Sequence, residues 1–170
     1  MRKEIKEFIQ SKKKILILPR NKEIDIISQW KEVRNPLRVY FNFILSKISN
    51  ILPIKMKRSA LRLIGVKIKE NVGLAPIRVD SLLPELISIG DNTAIGDGAR
   101  ILCHEFTKDK QRFGKVNIGK NVLIGSETFI RSGVEIGDNS IVSIRSFVNK
   151  DIPSNELWGG VPAKRIKKLK

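Results

Sequence analysis

The residues in this chain best able to do acid–base or nucleophilic chemistry are few. There is one histidine, His104, and it stands beside the only cysteine, Cys103, with Glu105 following. An imidazole that titrates near neutrality is the side chain best suited to taking a proton at physiological pH. One histidine and one cysteine cannot build a three-histidine zinc site, so no metal is expected in catalysis. Cys103 has no partner for a disulfide and no evident activating neighbour, which makes it a filler in a reducing compartment. Glu105 is open to three readings: it orients His104, binds an acceptor, or is a plain surface carboxylate.

Where His104 sits matters more than its type. An apolar residue recurs every sixth position through Ile118, Ile124, Ile130, Ile136, Val142 and Val148, and in the same phase at Ile89, Ile95 and Ile101. A helix repeats near 3.6 residues and a half-buried strand at 2, so a strict six marks a solenoid of short strands and corners. Ile and Val suit a pleated wall, while Gly, Asn and Asp supply corners. Three hexads make one triangular coil. Residues 89–106, 118–135 and 136–153 are then regular coils, and 68–88 an irregular first one, where Ile68 and Leu74 hold the spacing and Asp80 breaks it. The pattern predicts a parallel β-helix of about four coils. From Ile101 to Ile118 is 17 residues instead of 6, so a polar loop from His104 to Lys115 leaves the wall. A smaller interruption, Asp80 to Glu85, lies one coil earlier. Loops on rigid scaffolds are where sites tend to lie.

The first 65 residues read as helices. Ile5, Phe8 and Ile9 share one face of Met1–Gln10. Asn35-Pro36 has the form of an N-cap followed by proline at the first helical position, opening a helix that runs to Leu52 and stops at Pro53. A basic helix from Lys55 to Ile64 closes at Gly65. Residues 1–70 carry 18 basic and 6 acidic side chains, +12 of the chain's +16. Residues 1–65 are read as a helical cap over the open first coil, lysines turned to water, and 66–170 as the β-helix. The other reading of the segment is an amphipathic basic surface that lies on anionic lipid. Neither a secretory signal nor an apolar run long enough to span a membrane is visible, which suggests a cytoplasmic protein, at most peripheral on the inner membrane face. No nucleic-acid-binding motif accompanies the charge.

The stretches Ile118-Gly119-Lys120-Asn121-Val122, Gly133-Val134-Glu135-Ile136-Gly137, Val148-Asn149-Lys150-Asp151-Ile152-Pro153 and Gly160-Val161-Pro162-Ala163-Lys164 closely resemble the hexapeptide-repeat acetyltransferases. Within that family the resemblance is nearest to the galactoside, maltose and capsule-sugar O-acetyltransferases, and it covers roughly residues 65–170. It implies a left-handed winding, a homotrimer, acetyl-CoA in the cleft between subunits, and a short C-terminal helix. His104 matches the family's general base. Ser126, Ile144, Asn149, Lys150 and Lys167 match positions that contact acetyl-CoA, the lysines meeting its phosphates, with Lys164 and Arg145 as neighbours. Asp80 and Glu105 are expected near the acceptor.

The activity this implies is transfer of acetyl from acetyl-CoA to a saccharide hydroxyl, the acceptor being a small sugar or a lipid-linked one. N-acetylation of an amino sugar would use the same base. A silent β-helix serving only assembly is the reading from another class, and His104, the loop and the closing Gly-Val-Pro-Ala-Lys stretch speak against it.

Overall fold

The computed structural model describes residues 1–25 and 28–169. The N-terminal part contains α1 (Lys3–Gln10), β1 (Ile15–Pro19), α2 (Gln29–Val33), α3 (Pro36–Ser49) and α4 (Ile54–Ile64). The first coil is β2 (Lys67–Ile68), β3 (Gly73–Leu74) and β4 (Arg78–Val79), and the second β5 (Ile87–Ile89), β6 (Ala94–Ile95) and β7 (Arg100–Ile101). A hairpin of β8 (His104–Phe106) and β9 (Lys110–Gly114) interrupts the winding. The third coil is β10 (Val116–Ile118), β11 (Leu123–Ile124) and β12 (Phe129–Ile130). The fourth is β13 (Glu135–Ile136), β14 (Ile141–Val142) and β15 (Phe147–Val148), followed by β16 (Glu156–Gly159) and β17 (Lys164–Lys168).

Corresponding strands of successive coils pair in parallel and make three walls. Ile89, Ile118 and Ile136 stand in register in one wall, Ile95, Ile124 and Val142 in the second, and Ile101, Ile130 and Val148 in the third. All nine are buried, none more than 3 % exposed. The hexad thus stacks like on like, and each column removes β-branched surface from water at about 1.5–3 kcal/mol per side chain. Asn92, Asn121 and Asn139 take the left-handed conformation at one corner, which asparagine tolerates better than most residues. Asn121 Nδ2 donates to Asn139 Oδ1 at 3.0 Å, so the corner is also bonded from coil to coil.

Four features differ from the sequence expectation. The step from Leu74 to Val79 is one residue short of the hexad, so Val79 and not residue 80 pairs with Ile101 and points inward. The polar loop is an antiparallel hairpin, His104 opposite Phe113, and its second strand pairs with β1, Ile15 opposite Gly114. The N-terminal part is therefore not wholly helical: Ile15-Leu16-Ile17-Leu18 alternates between outward and core-facing sides, which a strand does and a helix does not. The expected C-terminal helix is a strand, β17, antiparallel to β16. Its backbone bonds satisfy the free edge of β16, which in turn covers β14 of the fourth coil.

At the other end, α4 packs on β2 and β3, and α3 on β4. Ile5, Phe8, Val33, Leu61 and Ile64 join the same core as the coil interiors. Gly65 ends α4 at φ 119°, the left-handed C-terminal position that favours glycine.

Candidate active site

The shortened hexad from Leu74 to Val79 delivers Asp80 to the corner beneath His104. The Asp80 side chain is fully buried, and one carboxylate oxygen, Oδ1, accepts the backbone N–H groups of Leu82 and Leu83 at 2.8 and 3.0 Å. The other, Oδ2, accepts the Cys103 N–H at 2.7 Å and stands 2.6 Å from His104 Nδ1. Burial alone would raise the Asp80 pKa, but the facing imidazole and the backbone donors outweigh it and hold the carboxyl below its usual value. Burial likewise works against a charged His104, and Asp80 overrides that, raising the imidazole above its ordinary value.

The bond fixes the tautomer. With Nδ1–H given to Asp80, Nε2 carries the lone pair and has no protein partner among the described residues. The His104 side chain is 28 % exposed, so it is open on the side away from Asp80. An imidazole held by a buried carboxylate, with its far nitrogen open, is an arrangement able to accept a proton from a hydroxyl. Asp80 is thus not an acceptor contact as expected: it is sealed from solvent, and its oxygens are taken up by the protein.

Glu105 points elsewhere. It accepts from Arg131 Nε at 2.9 Å and the second Arg131 nitrogen at 2.7 Å, from Ser132 Oγ, and at longer range from Arg112. Burial pushes its pKa up, but the bonds to Arg131 and Ser132 dominate and lower it. Arg112 also donates to the Ser132 carbonyl at 3.2 Å. These bonds clamp the hairpin to the third wall. Glu105 lines a cavity of about 210 Å³ with Leu102, Phe129, Arg131, Ser132 and Phe147. Arg131 and Ser132 directly follow Ile130 and belong to no motif that marks them in the sequence.

Close packing sets the hairpin's base. Gly133 has φ +78°, and a Cβ there would come within 2.9 Å of Ile15 and 3.1 Å of the Arg112 guanidinium. Cys103 is buried and its thiol pKa is pushed well up by burial, which suits a filler and not a nucleophile.

Of the residues matched to acetyl-CoA contacts, Ser126, Ile144, Asn149 and Lys150 lie on two edges of the third wall, while Lys167 lies on β17 at the end of the second. Ser126 and Ile144 stack at the edge before β12 and β15, where the Ser126 carbonyl accepts the Arg145 N–H at 2.8 Å. Ser126 is half-buried and Ile144 67 % exposed. Asn149 and Lys150 follow β15 at the opposite edge, the edge that carries Arg131, Ser132 and, one coil earlier, Leu102 and Cys103. Lys167 is exposed on β17 and Lys150 exposed at its corner. Arg145 is ion-paired to Glu127 at 2.8 Å. One chain does not bring the two edges together. Among the described residues no cluster of His, Cys, Asp and Glu could hold a metal ion.

Residues 115–143 match the family model of the hexapeptide repeat of succinyl-transferase. Over 133 residues the chain is 40% identical to "Putative acetyltransferase YvoF" of Bacillus subtilis (strain 168), covering 76% of this chain and 77% of that protein. It belongs to the hexapeptide-repeat acetyltransferases. This acetyltransferase chain is also 38% identical over 90 residues to the galactoside O-acetyltransferase of Escherichia coli (strain K12), 49% of this chain and 44% of the galactoside enzyme. A hexapeptide-repeat-containing acetyltransferase of Vibrio cholerae O1 biovar eltor, solved complexed with acetyl coenzyme A, superposes with a TM-score of 0.62 at 22% identity, over 79% of this acetyltransferase and 88% of that one. At that identity the likeness speaks for the fold.

Proposed function

We propose that this chain transfers an acetyl group from acetyl-CoA to a saccharide hydroxyl, with His104 as general base and Asp80 as its positioning residue. The observation that carries the reading is the 2.6 Å contact between His104 Nδ1 and a carboxylate buried where the repeat is interrupted. His104 Nε2 takes the hydroxyl proton as the oxygen bonds to the thioester carbonyl carbon. Asp80 stabilises the imidazolium that forms. When the carbon–sulfur bond breaks, His104 returns the proton to the leaving thiolate, giving the acetyl ester and free CoA. General-base help of this kind contributes about 10²–10⁴ in rate.

The groups present fit acetyl-CoA. Ser126 and Ile144 offer backbone and apolar contacts for the pantetheine arm, while Asn149, Lys150 and Lys167 offer a donor and two exposed cations for the nucleotide phosphates. The division of Ser126 and Ile144 from Asn149 and Lys150 between two edges of a wall favours a homotrimer of left-handed β-helices in which one subunit's His104 edge faces the next subunit's Ser126 edge. Saccharide acceptors are favoured by the likeness to the galactoside enzyme. The test is the purified chain with acetyl-CoA and a panel of saccharides, read by the thiol of released CoA. Thiol release that requires a sugar hydroxyl supports the proposal; release with none of the sugars, or only with amines, overturns it.

A further inference from the structure

α3 is mounted inside out. Its polar side chains Asn42, Ser46 and Ser49 are buried against the first coil, where Asn42 Nδ2 donates to the Ser81 carbonyl at 2.9 Å. Its large apolar side chains Leu37, Tyr40, Phe41, Ile44 and Ile48 face outward, and Ile51 just beyond is 84 % exposed. A surface helix of a globular protein does the reverse. Ile54, Met56 and Leu63 of α4 extend the exposed surface. Contiguous apolar surface of this kind marks an interaction face.

The charge around it says what covers it. No acidic residue occurs between Glu32 and Glu70, while Arg34, Arg38, Lys47, Lys55, Arg58 and Arg62 do. Arg34 and Arg62 are ion-paired to Glu85 and Glu70; Arg38, Lys47, Lys55 and Arg58 have no acidic partner among the described residues. The Arg38 guanidinium lies 5.3 Å over the Phe41 ring and the Lys47 ammonium 5.5 Å over that of Phe43, so cations and aromatics share one surface. A second copy would set these cations against one another in a chain of net charge +16. Anionic headgroups neutralise them, and the acyl boundary below takes the apolar side chains. No described helix is long and apolar enough to cross a membrane, so a helix of this kind lies in the plane of the interface.

We infer that the outward face of α3 docks on an anionic lipid bilayer, with Arg38, Lys47, Lys55 and Arg58 at the headgroups and Phe41, Ile44 and Ile48 beneath them. The catalytic pair is close behind. Ser81, which holds Asn42, adjoins Asp80. A cavity between α3 and the first coil is lined by Phe43, Lys47 and Arg78; the next shares Arg78 and adds Arg100 and Phe129; the one beside Glu105 shares Phe129. Arg78 and Arg100 stand in register, both exposed and without an acidic partner among the described residues. The path suits an acceptor that carries phosphate and is anchored in the bilayer. That last step rests on the acetyl-transfer proposal; the docking does not.

The test is flotation of the full chain with phosphatidylglycerol/phosphatidylcholine vesicles and with phosphatidylcholine vesicles alone, without acetyl-CoA or acceptor, so that a failed transferase reading leaves it untouched. The wild-type chain floats with the anionic vesicles at low salt and is largely released as salt screens the headgroups over about 10 Å at 0.1 M. The variant F41S/I44S/I48S binds at least about tenfold more weakly with unchanged oligomeric state by light scattering and an unchanged melting temperature. R38E/K47E, which leaves the apolar face whole, loses the preference for anionic vesicles. A wild-type chain that stays with the unbound fraction overturns the inference. So does an F41S/I44S/I48S variant that binds vesicles normally but falls apart into smaller oligomers, since a second copy would then cover α3.

Discussion

Asp80 and His104 are 24 residues apart in sequence and 2.6 Å apart in space, and a hexad shortened by one residue makes the contact. Had the first coil kept the strict repeat, residue 80 would point into the core in register with Ile101. With Val79 there instead, Asp80 reaches the next corner, where backbone N–H groups and the imidazole compensate its buried charge.

Asp80→Asn removes that charge and keeps the shape. His104 must be neutral to accept a proton, and Asp80 raises its pKa, so wild-type activity climbs as pH rises through a value above the ordinary histidine value of about 6.5. In the variant the acid limb of the pH–rate profile moves to lower pH, and turnover on the plateau falls at least about tenfold because the tautomer is no longer fixed. An acid limb that stays in place would show that Asp80 does not act through His104.

Gly133→Ala tests the seat of the hairpin. At φ +78° an L side chain is strained, and the new Cβ meets Ile15 and Arg112. A loss of about 1–3 kcal/mol in denaturant unfolding is expected. Unchanged stability would mean that β1 and the hairpin yield there without cost.

Lys150→Ala addresses the cofactor. Lys150 is exposed at the edge that also carries Arg131 and Ser132. As a phosphate contact its loss raises the KM for acetyl-CoA about tenfold, leaves kcat nearly constant, and flattens the salt dependence of KM. Steady-state kinetics at two ionic strengths reads this, and an unchanged KM removes Lys150 from the cofactor site.

The hexad columns were legible because like residues stack on like in every wall; Ile118, Ile124 and Ile130 needed only counting. The helix start at Asn35-Pro36 was legible because the cap is local: Asn35 Oδ1 accepts the Leu37 N–H at 2.9 Å. His104 showed itself by interrupting the count. What stayed hidden depends on distant partners. Ile15–Leu18 is too short an apolar run to tell strand from helix, and its pairing partner Lys110–Gly114 lies far along the chain. Asp80 looked like a break in the pattern, when the break is what points it at His104. α3 has helical spacing, yet its apolar stripe faces out because Asn42 and Asn50 are needed to bond the bare backbone of the first coil at Ser81 and Ile77.

Removal of the imidazole tests most directly whether His104 takes the proton from the acceptor hydroxyl. The measurement is turnover of His104→Ala with acetyl-CoA and whichever saccharide the wild-type chain accepts, alongside CoA affinity and melting temperature. A fall in kcat of at least about a hundredfold is expected, with CoA affinity nearly unchanged. Turnover close to wild type in a folded, CoA-binding variant would show that His104 is not the base.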